Sequence, residues 1–269
     1  EDGIRDVAVT GVQSCALPIS LELLKLCAWK LTEYDRVLAM DMDAIVLKNL
    51  DDLFERDLKE GAVMFTYDYA MDNPGSKAPP VQGGFLLLRP SVATYDRLVG
   101  IVRVGDFRPS KGWGGSGIGW CWGGQTIQGL IAYFTKLVDE SLGVPLPHCL
   151  YNAMVSTKDC KSTNFNDVFS VHYTVCQKPW ECFSGEGLCA QFLHAWWLVR
   201  NDLERAQGLA PRGRCCHQRK DLCPHKSYAP VDHEKMRALP MTASSGDSHA
   251  HQGTKTIVTL PDVLLEAVP

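Results

Sequence analysis

Apolar residues come in short runs broken by polar, Pro- and Gly-rich turns, and these runs predict strands alternating with helices. Ser20 is a good N-cap for a helix carrying Leu24, Cys27, Ala28 and Leu31 on one face. Residues 36–40 then form a short apolar run, predicted to be a buried strand that ends at Asp41. Asn49 can cap the next helix, with Asp51 and Asp52 in its first turn, where carboxylates complement the helix dipole. Leu50, Leu53 and Phe54 give that helix an inner face, and Gly61 is placed to close it. Strands are predicted at 62–66 and 84–88, on either side of a Pro/Gly loop at 73–80. Ser91 opens a further helix with Val92, Tyr95, Leu98, Val99 and Val102 on one side. Elements of this length in alternation predict an α/β domain with a mostly parallel sheet.

Residues 107–124, FRPSKGWGGSGIGWCWGG, are too glycine-rich to hold a packed element, so a loop over or beside a site is expected there, followed by a helix over 125–134. Beyond Trp197 the sequence turns polar, and 242–253 has the composition of a disordered segment. The expected organisation is therefore a core over 20–200 and a polar, largely irregular tail over 201–269. Residues 1–19, EDGIRDVAVTGVQSCALPI, stand apart. They resemble a translated sequencing-library adapter, in which GCT CTT CCG ATC gives the Ala-Leu-Pro-Ile of Ala16 to Ile19. Such a segment is expected to pack loosely, with no central place in a sheet, and native sequence then starts near Ser20.

The 269 residues are 45% hydrophobic and 22% charged, enough for one sizeable core. A net charge of -4 argues against a nucleic-acid footprint, which needs a basic patch. No apolar run reaches the roughly 18 residues that a membrane span needs, and no charged n-region followed by an apolar h-region is visible in the first residues given. Cys149, Cys160, Cys176, Cys182 and Cys189 crowd one region, and Cys215, Cys216 and Cys223 another. In an oxidising compartment these clusters read as disulfides, and in a reducing one as thiols or metal ligands. The tail group Cys215, Cys216, His217, Cys223 and His225 lacks a C-x-x-C pair, so solvated tail or disulfide is favoured over a zinc site.

The sharpest chemical signal is Asp41-Met42-Asp43 at the end of an apolar strand. Two carboxylates one residue apart can share a divalent cation, and oxygen ligands suit hard ions such as Mg²⁺ or Mn²⁺. In an open α/β sheet, ligands sit beyond the carboxyl ends of the strands. Taken alone, such a pair is more often a solvated loop.

The surrounding blocks narrow that choice. KLCAWKLTEYDRVLAMDMDAIVLKNLDDLFE (25–55), QGGFLLLRPSVATYDRL (82–98), Tyr151-Asn152 and HYTVCQKPW (172–180) together resemble glycosyltransferase family 8, over roughly 21–197. The resemblance implies a GT-A-type, Rossmann-like mixed sheet flanked by helices, here N-terminally truncated, because the family's uracil- and ribose-binding strand would precede Leu21. It also implies a UDP-sugar donor, Mn²⁺ (or Mg²⁺) as cofactor, and hexosyl transfer with retention to a hydroxyl of a glycan, protein, lipid or inositol, with a homodimer as one option for the assembly. Asp41, Asp43 and His172 fall on the metal-ligand positions, and they are expected to converge in one coordination sphere. Lys178, held by Pro179, can meet the diphosphate as a compact point charge. Gln82 sits where the family has a sugar-contacting asparagine, and Gly83 and Gly84 accompany it in the donor-binding block, although close strand packing explains the glycines equally well. Gln125 takes the place of the family's aspartate near the sugar, and an amide can hydrogen-bond a hydroxyl but cannot act as a base. Catalysis is therefore expected to rest on Asp43, with Gln125 in support.

The family and the cysteine clusters together suggest the secretory pathway or Golgi lumen, with at least one disulfide between Cys149 and Cys189, and the cytoplasm as the alternative. Two other readings compete. Asp41-Met42-Asp43-Ala44-Ile45 also fits the opening of a haloacid-dehalogenase phosphatase, in which the HYTVCQKPW block has no place. A truncated or degenerate transferase-like fragment would bind without turnover.

Overall fold

The apolar run Val81–Leu88 is buried at every position, and in the computed structural model of the chain it forms an inner strand of a four-stranded sheet. The structure describes residues 22–72, 77–105, 112–118, 126–181 and 185–209. The strands are β1 (Val37–Met40), β2 (Ala44–Val46), β3 (Val63–Tyr67), β4 (Val81–Leu88), β5 (Gly143–Pro145) and β6 (Ser170–His172). The main sheet has the order β1-β4-β3-β5, and β2 pairs with β6 in a separate ribbon.

The expected α/β architecture with a mixed central sheet is present, but the sheet is not mostly parallel. β4 runs antiparallel to both β1 and β3, and only the β3–β5 pair is parallel. Parallel neighbours need a crossover of a dozen or more residues, usually a helix. Between β3 and β4 the described chain holds only a 3₁₀ turn, Tyr69–Met71, so β4 returns beside β3 in the opposite direction.

The helices are α1 (Asp51–Glu55), α2 (Val92–Val104), α3 (Ile127–Tyr133), α4 (Lys158–Lys161) and α5 (Gly187–Ala206), preceded by a 3₁₀ helix, Leu24–Lys30. The Asn49 side chain accepts from the Asp51 amide at 2.7 Å, as its capping role requires. Gly61 does not close α1, which ends at Glu55. It turns the chain into β3 at φ 79°, where a Cβ would lie 2.0 Å from Thr94 Oγ1, and its carbonyl accepts from the buried Trp29 indole at 3.0 Å. Ser91 caps α2, whose Leu98 and Val102 are buried with Tyr95 and Val99 against the core, while Val92 faces outward.

Phe65, Phe85, Leu86 and Leu87 from the sheet pack against Ile127, Leu130 and Ile131 of α3 and against Trp29. A second core lies under the ribbon, where Val168, Val171 and Tyr173 meet Phe192 and Leu193 of α5. Part of the glycine-rich stretch also packs: Trp113 is buried, adopts φ 52°, and stacks on Tyr133 at 6.0 Å between ring centroids. A single large aromatic outweighs the local glycine content, which is why the expected loop carries a core residue.

α5 continues through position 200 to Ala206, with Asn201 and Glu204 buried. No helix among the described residues is long and apolar enough to cross a membrane. The expectations for residues 1–19, for Gln125, for Cys182 and for the cysteines of the tail lie outside the described residues.

Two disulfides, Cys149–Cys160 and Cys176–Cys189, join cysteines of the first cluster, with Cα separations of 4.8 and 5.1 Å. The expectation of at least one bridge there is met twice.

Candidate active site

The Asp41–Asp43 pair is set by the end of β1. The Asp41 amide donates to the Gly84 carbonyl at 3.2 Å, one step beyond the β1–β4 ladder, and the Ala44 amide turns back to the Asp41 carbonyl at 3.0 Å. Met42 is 99% exposed, so the two flanking carboxylates turn inward while the side chain between them faces solvent.

The β2–β6 ribbon brings in the third residue. Ala44 pairs with His172, and the Tyr173 amide donates to the Asp43 carbonyl at 2.8 Å. This register places the buried His172 ring beside both carboxylates, with Nε2 3.2 Å from Asp43 Oδ1 and 3.6 Å from Asp41 Oδ2. One ligand atom from each of Asp41, Asp43 and His172 lies within 4.8 Å of the others. The sequence-predicted trio is thus brought together across about half of the chain.

Glycines make room for this. Between Phe65–Leu86 and Thr66–Gln82 the β3–β4 register shifts, so the segment of β4 containing Gly83 and Gly84 swings free of β3. A Cβ on Gly84 would lie 2.4 Å from His172 Cε1 and Nδ1, and one on Gly83 would lie 2.9 Å from Ile127 Cγ2. The ring therefore sits directly on the Gly84 backbone, and the close-packing reading of these glycines describes their place in the structure.

Two lysines complete the site. Lys178 pairs with Asp43 Oδ2, and Lys25, only 8% exposed, pairs with Asp41 Oδ1 at 2.6 Å and with Glu22 at 2.9 Å. Burial would raise the Asp43 pKa, but hydrogen bonds and charge from His172 and Lys178 hold it well below the usual carboxylate range. Burial would lower the Lys25 pKa, yet Asp41 first and Glu22 second raise it above its ordinary value. Each lysine takes one outer oxygen, which leaves Asp41 Oδ2 and Asp43 Oδ1 facing the imidazole.

Lys178 is presented by a pinned segment. Cys176 is bridged to Cys189 at the start of α5, the Tyr173 hydroxyl donates to the Phe192 carbonyl at 2.6 Å, and Gln177 takes φ 64° just before the Pro179–Glu181 turn. Gln82 lies deeper, 4% exposed. Its Nε2 donates to Asp68 Oδ2 at 3.2 Å, and its Oε1 accepts from Gln128 Nε2 at 2.9 Å and from the Gly84 amide at 3.2 Å. Lys25 and Asp68 were not singled out from sequence, the first because a helix face of Leu24, Cys27, Ala28 and Leu31 leaves it outside.

No protein-family model matches the chain. Among characterised proteins it is similar to mouse glycogenin-1, with 35% identity over 81 residues, 30% of this chain and 21% of that protein. It is 30% identical over 152 residues to the Arabidopsis thaliana glucuronosyltransferase-like protein PGSIP8, 54% of this chain and 26% of that one. Human glycogenin-2 is 26% identical over 201 residues, 67% of this chain and 35% of that protein. The chain thus spans about a fifth to a third of the length of these relatives. Among solved structures, the glycosyltransferase GlyE of Streptococcus pneumoniae TIGR4 aligns with a TM-score of 0.44 at 16% identity, over 71% of this chain and 48% of that one. The bifunctional glycosyltransferase WbbM aligns with a TM-score of 0.43 at 15% identity, over 66% and 34%.

Proposed function

From the premise that its homologues are glycogenin- and glucuronosyltransferase-like proteins of glycosyltransferase family 8, we propose that this chain transfers a hexosyl group from a UDP-sugar to an acceptor hydroxyl, with retention, in a reaction dependent on Mn²⁺ or Mg²⁺. The observation that carries this reading is the convergence of Asp41, Asp43 and His172 at the end of β1, with Lys178 beside them.

The residues present fit a divalent ion. Two carboxylate oxygens and an imidazole nitrogen face one another, a donor set suited to Mn²⁺ or Mg²⁺, and each carboxylate is paired with a lysine. Asp41, Asp43 and His172 would hold the ion, which when bound stabilises the charge developing on the departing diphosphate. Lys178, free to leave Asp43 once that carboxylate has another partner, places a point charge where a diphosphate would lie. Gln82, whose amide is taken by Asp68, Gln128 and the Gly84 amide, would meet a sugar hydroxyl by exchanging one of these bonds, and Gln125 would supply a hydrogen bond without a base. The acceptor hydroxyl then attacks on the face from which UDP departs. The two disulfides support an oxidising compartment, and we place the protein in the lumen of the secretory pathway or Golgi.

The test is calorimetric titration of UDP with and without Mn²⁺, followed by UDP release from UDP-glucose, UDP-galactose and UDP-glucuronate. Mn²⁺-dependent UDP binding that is abolished by a chelator is expected. UDP binding indifferent to Mn²⁺ sinks the metal-assisted reading, and tight binding with no release in the presence of acceptors selects the degenerate-fragment reading instead.

Gly84→Ala provides a second check. Its methyl group would displace the His172 ring, so Mn²⁺ affinity should fall by about 10–100-fold, the range seen when a ligand's support is disturbed. Unchanged Mn²⁺ affinity in a folded Gly84→Ala protein would remove His172 from the ligand set.

A further inference from the structure

The Cys149–Cys160 bridge has an imidazole beside it. His148 Nε2 lies 3.5 Å from Cys149 Sγ, and one ligand atom from each of His148, Cys149 and Cys160 lies within 4.8 Å of the others. Cys160 is 1% exposed, and His148 and Cys149 are half-buried. Among the described residues, no third ligand of this kind stands at the Cys176–Cys189 bridge.

The scaffold around these three residues does not depend on the bridge. The Leu150 and Tyr151 amides both donate to the Pro147 carbonyl at 3.0 Å, which closes a turn around His148 and Cys149. The His148 ring meets Tyr69 edge to face, with 4.7 Å between centroids. On the other side, the Thr157 hydroxyl caps α4 by accepting from the Cys160 amide at 3.3 Å, and it lies 3.4 Å from His148 Nε2. Opening the bridge therefore leaves an imidazole and two thiols held near one another by other contacts.

Two sulfurs and an imidazole nitrogen are a soft donor set, unlike the two carboxylates and imidazole of Asp41, Asp43 and His172. Tetrahedral zinc stands about 2.3 Å from sulfur and 2.0–2.1 Å from nitrogen, which spaces a sulfur and a nitrogen ligand by roughly 3.5 Å. His148 and Cys149 already have that spacing.

We propose that, once the Cys149–Cys160 bridge is reduced, His148, Cys149 and Cys160 form a zinc site with water in the fourth position. A dithiol supplies two electrons and two protons, breaks the Sγ–Sγ bond and closes to its own disulfide. Zn²⁺ then displaces both thiol protons into solvent and is held by two thiolates and a neutral imidazole. Bridge and metal are thus alternative clips on one loop, which joins cysteines 11 residues apart between β5 and β6. An oxidising compartment keeps the bridge, and a reducing one replaces it with zinc. The inference does not depend on the transferase reading.

The experiment uses the whole chain, reduced with a dithiol, freed of it under argon and titrated with Co²⁺, which reports its ligands by absorption where d¹⁰ zinc is silent. The reduced chain should develop a thiolate-to-cobalt charge-transfer band that added Zn²⁺ abolishes, and the oxidised chain should develop none. Co²⁺ at Asp41, Asp43 and His172 gives no such band, because that set holds no sulfur. Cys149→Ser with Cys160→Ser should remove the band, and Cys176→Ser with Cys189→Ser should keep it. His148→Ala, which leaves both sulfurs and the oxidised bridge in place, should weaken the Co²⁺ affinity read from the band about 100-fold or more, since disturbing a ligand's support alone costs 10–100-fold. A thermal melt of each reduced protein checks the fold. No band in the reduced wild type, or a band that survives loss of Cys149 and Cys160, overturns the site. So does unchanged affinity in His148→Ala, which decides the matter even where the serine pair does not fold.

Discussion

Asp43→Asn is expected to lower Mn²⁺-dependent UDP release by about three orders of magnitude or more, corresponding to the several kcal/mol that a metal contributes to stabilising a departing diphosphate. The substitution barely changes volume. It removes a charge from a carboxylate that faces His172 through one oxygen and Lys178 through the other. The fold should tolerate it, because the Lys178 pair is part-exposed and such pairs add little to stability. Asp41→Asn is a poorer test, because Asp41 also partners the buried Lys25, and stripping a buried cation of its partner destabilises the fold itself. The measurement is the initial rate of UDP release at saturating Mn²⁺, alongside a thermal melt. Full activity in a folded Asp43→Asn protein would end the proposed mechanism, and a collapsed melt would mean that the carboxylate serves the fold first.

Why some of this site was legible in sequence and some was not follows from how far each residue depends on tertiary geometry. Asp41 and Asp43 announce themselves, because alternation past a strand end puts two carboxylates on one side without help from distant elements. His172 depends on the β2–β6 register, which no local pattern encodes, and only the HYTVCQKPW block brought it forward. Lys25 was hidden by its helix. In a 3₁₀ helix, with about three residues per turn, positions i and i+3 eclipse. Lys25 and Ala28 therefore share the buried side, whereas a regular α-helical reading favours Leu24, Cys27, Ala28 and Leu31. Asp68 is a single acid after a strand, and its isolation from water becomes visible only once Gln82 and Asn152 are packed around it. The sheet directions differ from the expected parallel arrangement for a related reason: β3 is preceded and β4 followed by a helix as in a crossover fold, but the link between them carries no α-helix among the described residues, and β4 returns antiparallel beside β3.

Removing the Cys176–Cys189 bridge, by Cys176→Ser with Cys189→Ser, should cost about 3 kcal/mol of stability, the amount expected for a loop of this length. For a domain of this size that is a fall in Tm of roughly 6–12 °C. The consequence for function should be selective. Lys178 lies two residues past Cys176, beyond the left-handed Gln177, and the bridge is its nearest anchor to α5. His172 is held independently by its ladder with β2, by the Gly84 backbone beneath it, and by the neighbouring Tyr173 hydroxyl on Phe192. Without the bridge, UDP affinity should therefore drop several-fold while Mn²⁺ affinity stays close to wild type. Cys149→Ser with Cys160→Ser opens a loop of similar length, away from Lys178 in sequence, and should lower Tm to a similar degree without that split. Calorimetric titration of Mn²⁺ and UDP on both double variants, at a temperature well below their melts, makes the comparison. Equal losses of UDP affinity in the two would show that the bridges stabilise the fold in general and do not serve to position Lys178.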